Sequence, residues 1–544
     1  FNGEIYNYQE LRDELTALGV NCTTQTDTEV LLKAWAQWGS DALPKLVGMF
    51  AFAVYDRLKS TLTLVRDPYG IKPLYYAQED DRLVFGSEIP AMLPLLAQVP
   101  KPNLHAVYPY LVHGTYDRGE HSFFTGIKSL EPGTLGKFDL SSATLSEPTV
   151  WWRPSYLNRA QISFDEAADI VREKFLTSVR LHLRSDVRVG AALSGGIDSS
   201  AIVCAMRYLE PQMPIHTFSY IASGSEKNEE RWVDIVNEHT GAIGHKVTAE
   251  PEDLIKDLDR MVQAQGEPFG TTSIYAQFRV FQLAREHGIV VTLDGQGADE
   301  ALAGYLGYPG ERLMSLVETG RLKTAIRFAR EWGKPAGRSQ ALAWMHFVYR
   351  VLPKPLLSAA RSILGRRSAP AWLNMAMIRS HGVAEREARP QKDSAAKGRR
   401  VVEHLAQSLQ KIGLPALLRH GDRNSMHFSI ESRVPFLTTA LTDYLLSLPE
   451  HYLINEKGVT KSVFRRAMRG IVPDSILDRT DKIGFDPDDD QWRKYYLEQI
   501  QILGNDSNSF INTQAFLASR ASQDTGSCWR LLNYLIWDRL YCSS

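Results

Sequence analysis

The run Leu193-Ser194-Gly195-Gly196-Ile197-Asp198-Ser199-Ser200 lies between an apolar stretch, 187–193, and a helix-like stretch, 200–209. Its residue types suit an anion. Adjacent glycines let the backbone approach a ligand closely. The N–H groups at the start of the following helix point outward along a favourable dipole. Ser194, Ser199 and Ser200 add hydroxyl donors. Asp198 would repel a phosphate unless a cation came between them, which makes it a natural Mg2+ ligand. The run lacks the G-K-[ST] ending of a Walker A loop. A plain strand–turn–helix corner, with Asp198 and Ser199 as caps, is the alternative. A glycine pair alone would favour that alternative, but the full string behind an apolar strand argues against it.

The surrounding elements must place this loop. Around it strands and helices alternate: Ser163 and Glu166 form a capping box before a helix carrying Val171, Phe175 and Val179. Strands are expected at 187–193, 215–220 and 289–293, and helices at 200–209, at 229–239 and after Asp299. Such alternation predicts a doubly wound parallel sheet, followed by a mostly helical part from residue 310 onward. The first 150 residues read differently, as an α+β unit. Leu11, Leu15 and Leu18 repeat at helical spacing before Gly19, and Thr26–Glu29 fits a capping box opening a helix over 30–38. Strands follow at 49–56, 61–65, 73–77 and 82–86. The segment 365–400, rich in Arg, Ala and Ser, reads as a mobile surface insertion, with a basic docking patch as the alternative.

Composition narrows the class. The 544 residues carry 62 Lys+Arg against 63 Asp+Glu, a formal charge of −1, which argues against a general nucleic-acid binder. Hydrophobic residues at 44% and charged residues at 23% are those of a globular protein. No apolar run is long enough to suggest a membrane span. The four cysteines, Cys22, Cys204, Cys528 and Cys542, form no C-x-x-C pair, so a disulfide framework or zinc knuckle is not expected and a reducing cytoplasm is.

The string S-G-G-I-D-S resembles the pyrophosphate loop of ATP-pyrophosphatases, which include asparagine, β-lactam, GMP and NAD synthetases. Asp294-Gly295-Gln296-Gly297-Ala298-Asp299-Glu300 with Gly304-Tyr305 resembles the second nucleotide loop of the asparagine synthetases. Asp422 through Leu437 resembles their helical signature, and Arg479 through Phe485 their late lysine loop. At the front, Asn2 through Asn7, Gly48 through Ala53 and Arg66 through Tyr75 resemble their class II glutaminase domain. The resemblance covers nearly the whole chain in order. It implies a partial N-terminal-nucleophile hydrolase domain at 1–150, of stacked sheets with helices, and an ATP-pyrophosphatase domain at 160–544.

The resemblance also implies roles. Asp198 and Asp299 would hold Mg2+ on ATP, although Asp299 could equally cap a helix. Leu193, Ser194, Gly195, Gly196, Ser199, Tyr220, Asp294 and Gly295 match the ATP site, although Leu193 and Tyr220 could be sheet core. Lys482 would neutralise charge as pyrophosphate leaves, against the alternative of a surface lysine. Asn2 and Gly3 match an oxyanion hole, and Glu4 and Asp27 match residues holding the glutamine α-amino group, with helix capping as a compatible role for Asp27. The implied chemistry adenylates a carboxylate, of aspartate first of all, and displaces AMP with ammonia from glutamine. The implied partners are these small molecules and ATP, with no nucleic acid and no membrane, and a homodimer is left open.

Two departures are visible. The family's terminal Cys nucleophile is absent, since no cysteine precedes Cys22 and residue 1 is Phe rather than Met. A chain lacking its natural start is expected, and this chain as written should use free ammonia rather than glutamine. Gln296 stands where many asparagine synthetases carry Glu, and it has neither charge nor basicity. Thr438 and the Met426-His427-Phe428 stretch also differ from the family's usual residues. Amidation of another carboxylate, in a sugar or peptide pathway, therefore remains open, as does a nucleotide-binding paralogue without turnover.

Overall fold

A computed structural model describes residues 1–221, 229–248, 251–335, 338–352, 370–383, 392–479, 489–504 and 510–542. In the front part, β1 (Asn2–Ile5), β2 (Gly48–Asp56), β3 (Thr61–Arg66), β7 (Thr134–Asp139) and β8 (Thr144–Leu145) form an antiparallel sheet in that order, with β9 (Thr149–Val150) also on β7. A second antiparallel sheet has β4 (Tyr75–Glu79) between β5 (Arg82–Gly86) and β6 (Lys128–Ser129). Alternation along β2 sends Phe50 and Phe52 to one face and Ala51 to the other. The first face is covered by helices Tyr8–Ala17 and Asp27–Trp38, through Leu11, Leu15, Val30, Leu31 and Ala34. The second packs with Leu64, Leu74, Tyr76 and Leu130, joining the two sheets. Each such fully buried Leu or Phe contributes about 1.5–3 kcal/mol.

Some expectations shift in detail. The second helix starts at Asp27, three residues before the expected Val30, with Thr26 Oγ1 accepting the Glu29 N–H. Its capping box is only half formed, because the Glu29 carboxylate turns back to the N–H groups of Thr23 and Thr24. The strand expected over 73–77 begins at Tyr75, since Pro73 has no N–H for a ladder.

The second part follows the expected alternation. Ser163 and Glu166 close a full capping box on helix Phe164–His182, which buries Val171, Phe175 and Val179. Then β10 (Val189–Ala192), β11 (His216–Tyr220), β12 (Ile243–Val247), β13 (Val291–Leu293) and β14 (Glu431–Arg433) form one parallel sheet, ordered β12-β11-β10-β13-β14. The chain leaves β10 in one direction to β11 and β12, then returns to β13 on its other side. The carboxyl ends of β10 and β13 thus flank a topological switch point, where open α/β sheets place ligands. Neither β12 nor β14 was expected. Both are edge strands, and β14 has the charged sequence Glu431-Ser432-Arg433, so pairing to β13 rather than apolar pattern makes it a strand.

The mobile-insertion reading of 365–400 is corrected where residues are described. Trp372, Leu373 and Ile378 are buried, Met375–Ser380 is a helix, and Arg400 is buried against Glu318 and Glu403. Apolar anchors and an ion network, absent from a composition count, hold these pieces in the core. Residues 365–369 and 384–391 lie outside the described residues. Among the described residues no helix is long and apolar enough to cross a membrane.

Candidate active site

The loop Ser194–Asp198 leaves β10 and enters helix Ile197–Leu209 with Gly196 as N-cap. Gly195 has φ +76°, and a Cβ there would come 2.7 Å from Trp232 Cβ, so the position needs glycine twice over. Ser199 Oγ accepts the Ser194 N–H at 3.1 Å and lies 3.1 Å from Ser194 Oγ, which draws both hydroxyls into the bend. Arg479 Nη1 donates to the Gly195 carbonyl at 2.8 Å. Leu193 is buried and its N–H donates to the Phe218 carbonyl, while Tyr220 is half-buried beside the Phe218 cluster. These contacts place both residues in the sheet.

The second loop leaves β13. Burial pushes the Asp294 carboxyl up, while the N–H groups of Gln296 and Gly295 and the Gln277 side chain pull it down. A Cβ on Gly295 would touch Asp198 Cβ at 3.2 Å, so the two loops lie against each other. Gly297, at φ +87°, turns the chain into the short helix Ala298–Leu302 and is its N-cap, so Asp299 does not cap it.

The two carboxylates meet at a cation. Lys461 Nζ lies 2.6 Å from Asp299 Oδ1 and 2.6 Å from both Asp198 oxygens. Burial works against the ammonium, yet the two carboxylates outweigh it and leave the Lys461 pKa above the ordinary lysine value. Lys461 sits at φ +55° and Ala303 at φ +56°, two left-handed non-glycine residues beside one cluster. Strain of this kind, about 1–3 kcal/mol each, concentrates at functional sites. A Cβ on Gly304 would come 1.7 Å from Asp299 Oδ1, so the cradle closes only around glycine. Carboxylate oxygens from two loops converging on one positive charge are the donor set that suits a hard divalent cation, and the Lys461 ammonium lies against the same oxygens.

Sequence reasoning missed Lys461. Its only signal is the Asn455–Gly458 turn shortly before helix Ser462–Ala467, which names no chemistry. Lys482 and the rest of its loop, 480–488, lie outside the described residues.

The front candidates cluster on β1. Gly3 has φ +136°, and a Cβ there would strike the Met49 carbonyl at 2.0 Å. Asn2 Nδ2 donates to Ser87 Oγ at 2.9 Å. Asp27 is the first residue of its helix rather than its cap, and Oδ2 accepts the Ile5 N–H at 3.0 Å. Burial, then the Glu431 and Asp27 carboxylates, pushes the Glu4 carboxyl up to about 7 against the pull of Arg433. Glu431 and Arg433 belong to β14, so the two halves of the chain meet beside Glu4.

The family model described as asparagine synthase matches residues 170–539, and that of a glutamine amidotransferase domain matches residues 1–152. The chain belongs to the asparagine synthase family. The family comprises ligases that use ATP, and this member is asparagine synthetase-like and glutamine-dependent in type. Asparagine synthetase [glutamine-hydrolyzing] 1 of Bacillus subtilis (strain 168) is 28% identical, over 99% of this chain and 84% of its own length. Asparagine synthetase [glutamine-hydrolyzing] 3 of the same organism is 28% identical, over 94% and 79%. Amidase chry2 of Gibberella zeae is 24% identical, over 89% and 76%. In this member of the family, the parallel sheet lies within the asparagine synthase match and the antiparallel sheets within the amidotransferase match.

Proposed function

We propose that this chain amidates the side chain of L-aspartate, cleaving ATP to AMP and pyrophosphate, with free ammonia as the nitrogen source for the chain as written and glutamine as the source where the amidotransferase unit carries its Cys nucleophile. Residues 1–150 form the amidotransferase unit and 160–544 the synthetase unit. The observation carrying the reading is the meeting of Asp198 and Asp299 at one cation, beside the glycine loop at the switch point of the parallel sheet.

In this reading Asp198 and Asp299 hold Mg2+, which when bound would offset the charge of the triphosphate. The backbone N–H groups of residues 195–199 and the Ser194 and Ser199 hydroxyls bind phosphate oxygens. Leu193, Tyr220, Asp294 and Gly295 line the nucleotide. The substrate carboxylate attacks the α-phosphorus and pyrophosphate leaves. Ammonia then adds to the acyl carbon and AMP departs. Lys461 supplies positive charge where pyrophosphate departs, the part also assigned to Lys482. At the front, Asn2 Nδ2 and the Gly3 N–H receive the oxyanion of amide hydrolysis, and Glu4 with Asp27 receives the glutamine ammonium. The four free thiols suit a reducing compartment.

Gln296 favours a second reading, in which another carboxylic acid is the acceptor, because an amide cannot serve as a base. One experiment separates the two. ATP–pyrophosphate exchange is measured with the purified chain, Mg2+ and ammonia, first with L-aspartate and then with a panel of carboxylic acids. Aspartate-dependent exchange is expected. Exchange with another acid alone transfers the reading to that acid, and ATP binding without any exchange overturns both.

A further inference from the structure

We propose that Arg479 is a positioning residue for the triphosphate loop, fixing the Gly195–Gly196 peptide through a brace built from helix Glu230–Thr240 and the Lys461 helix. Its guanidinium is buried and makes three contacts among the described residues. Nη1 donates to the Gly195 carbonyl at 2.8 Å, Nη2 donates to Glu229 Oε1 at 3.1 Å, and the group lies 4.5 Å above the Trp232 ring. Glu229 and Trp232 are themselves joined, the Trp232 N–H donating to the Glu229 carbonyl at 2.9 Å. The backbone of Arg479 is held in turn. Arg465 Nη1 donates to the Arg479 carbonyl at 2.9 Å, and Arg465 Nε donates to the Thr460 carbonyl, also at 2.9 Å, next to Lys461. One chain of contacts thus runs from Lys461 to the glycine loop.

The consequence follows from peptide geometry. In a trans peptide the C=O and the N–H point in opposite directions. Pinning the Gly195 oxygen on Arg479 therefore turns the Gly196 N–H the other way, toward Ser194 Oγ at 3.3 Å, on the inner side of the bend. Gly195 is free to rotate in a way no other residue is, so without the guanidinium this peptide can flip and withdraw a phosphate donor. Lysine would keep the charge but not the planar fork that serves Gly195 and Glu229 together while lying on Trp232.

The inference rests on the reading that residues 194–199 hold the triphosphate. Its test is equilibrium binding of ATP and of AMP, with Mg2+, to the full chain and to Arg479→Lys and Arg479→Ala. The expected result is ATP binding weakened by about tenfold or more in both variants, as for loss of hydrogen bonds to a charged group. AMP binding, which needs no β or γ phosphate, should change by less than about twofold. Equal losses for ATP and AMP would reduce Arg479 to general scaffolding and overturn the proposal, as would unchanged ATP binding in both variants. If the unsubstituted chain bound no ATP, the reading of the loop itself would fall, and this proposal with it.

Discussion

Lys72 Nζ lies 2.9 Å from Asp422 Oδ1, and both side chains are almost wholly withdrawn from water. The pair ties the front part to helix Leu414–His427 across 350 residues of chain. Lys72 is held for this contact by Asp67, whose carboxylate accepts the N–H groups of Tyr69, Ile71 and Lys72. Removing one partner of a buried pair strands the other charge and costs about 3–5 kcal/mol. Lys72→Met and Asp422→Leu should each lower the unfolding free energy, read from denaturant titration, by that much. The double variant should recover most of the loss, and a double variant that merely adds the two losses would contradict the pairing.

Lys461 should matter to turnover more than to nucleotide binding. Its ammonium lies between two carboxylates that would otherwise face each other, and in the proposed reading it supplies positive charge to the departing pyrophosphate. Lys461→Ala is expected to slow ATP–pyrophosphate exchange about 10²–10³-fold, the usual effect of losing one preorganised charge partner. Undiminished exchange would return Lys461 to a structural role.

Glu311 gives a pH signature away from the site. Burial pushes its carboxyl up to about 7 from 4.5, with Arg350 pulling it down and Glu403 pushing it up. The folded chain therefore holds this proton more tightly than the unfolded one. Its contribution to stability is full below the unfolded value and is lost as pH rises through about 7. Glu311→Gln removes that loss, so the melting temperature of the variant relative to the parent should climb from about pH 5 to about pH 8. A flat or falling difference would refute the shift.

Gly297 and Gly413 share φ +87° but not their surroundings. A Cβ on Gly297 would meet Leu437 Cδ2 at 2.4 Å, whereas Gly413 has nothing within 4 Å. Alanine at either position should cost about 1–2 kcal/mol of backbone strain. Only Gly297→Ala should also depress exchange, because Asp299 lies two residues beyond it. Equal exchange in the two variants would show that the turn does not set Asp299.

Much of the parallel-sheet core was legible from local pattern. The capping box at Ser163, the helical spacing of Val171, Phe175 and Val179, and the glycine pair at 195–196 carry their structure in a few neighbouring residues. The strands β12 and β14 were not legible. Glu431-Ser432-Arg433 has no strand pattern of its own and becomes one by pairing with β13, some 140 residues earlier. The partner of Asp27, for which helix capping stood as the alternative role, was not legible for a similar reason. The Ile5 N–H, brought close by the sheet, is a better partner for its carboxylate than its own helix.

The amino-acid sequence determined the glycine-lined bend, the residue types around it and the alternation that makes a parallel sheet, because each depends on backbone preferences within a few residues. Only the tertiary structure decided that Lys461 stands between Asp198 and Asp299, that Arg479 grips Gly195, and that Lys72 pairs with Asp422. Those contacts join residues up to hundreds of positions apart. Coulomb attraction and hydrogen bonding act over a few ångströms of space, and the chain's own order does not record which groups folding brings that near.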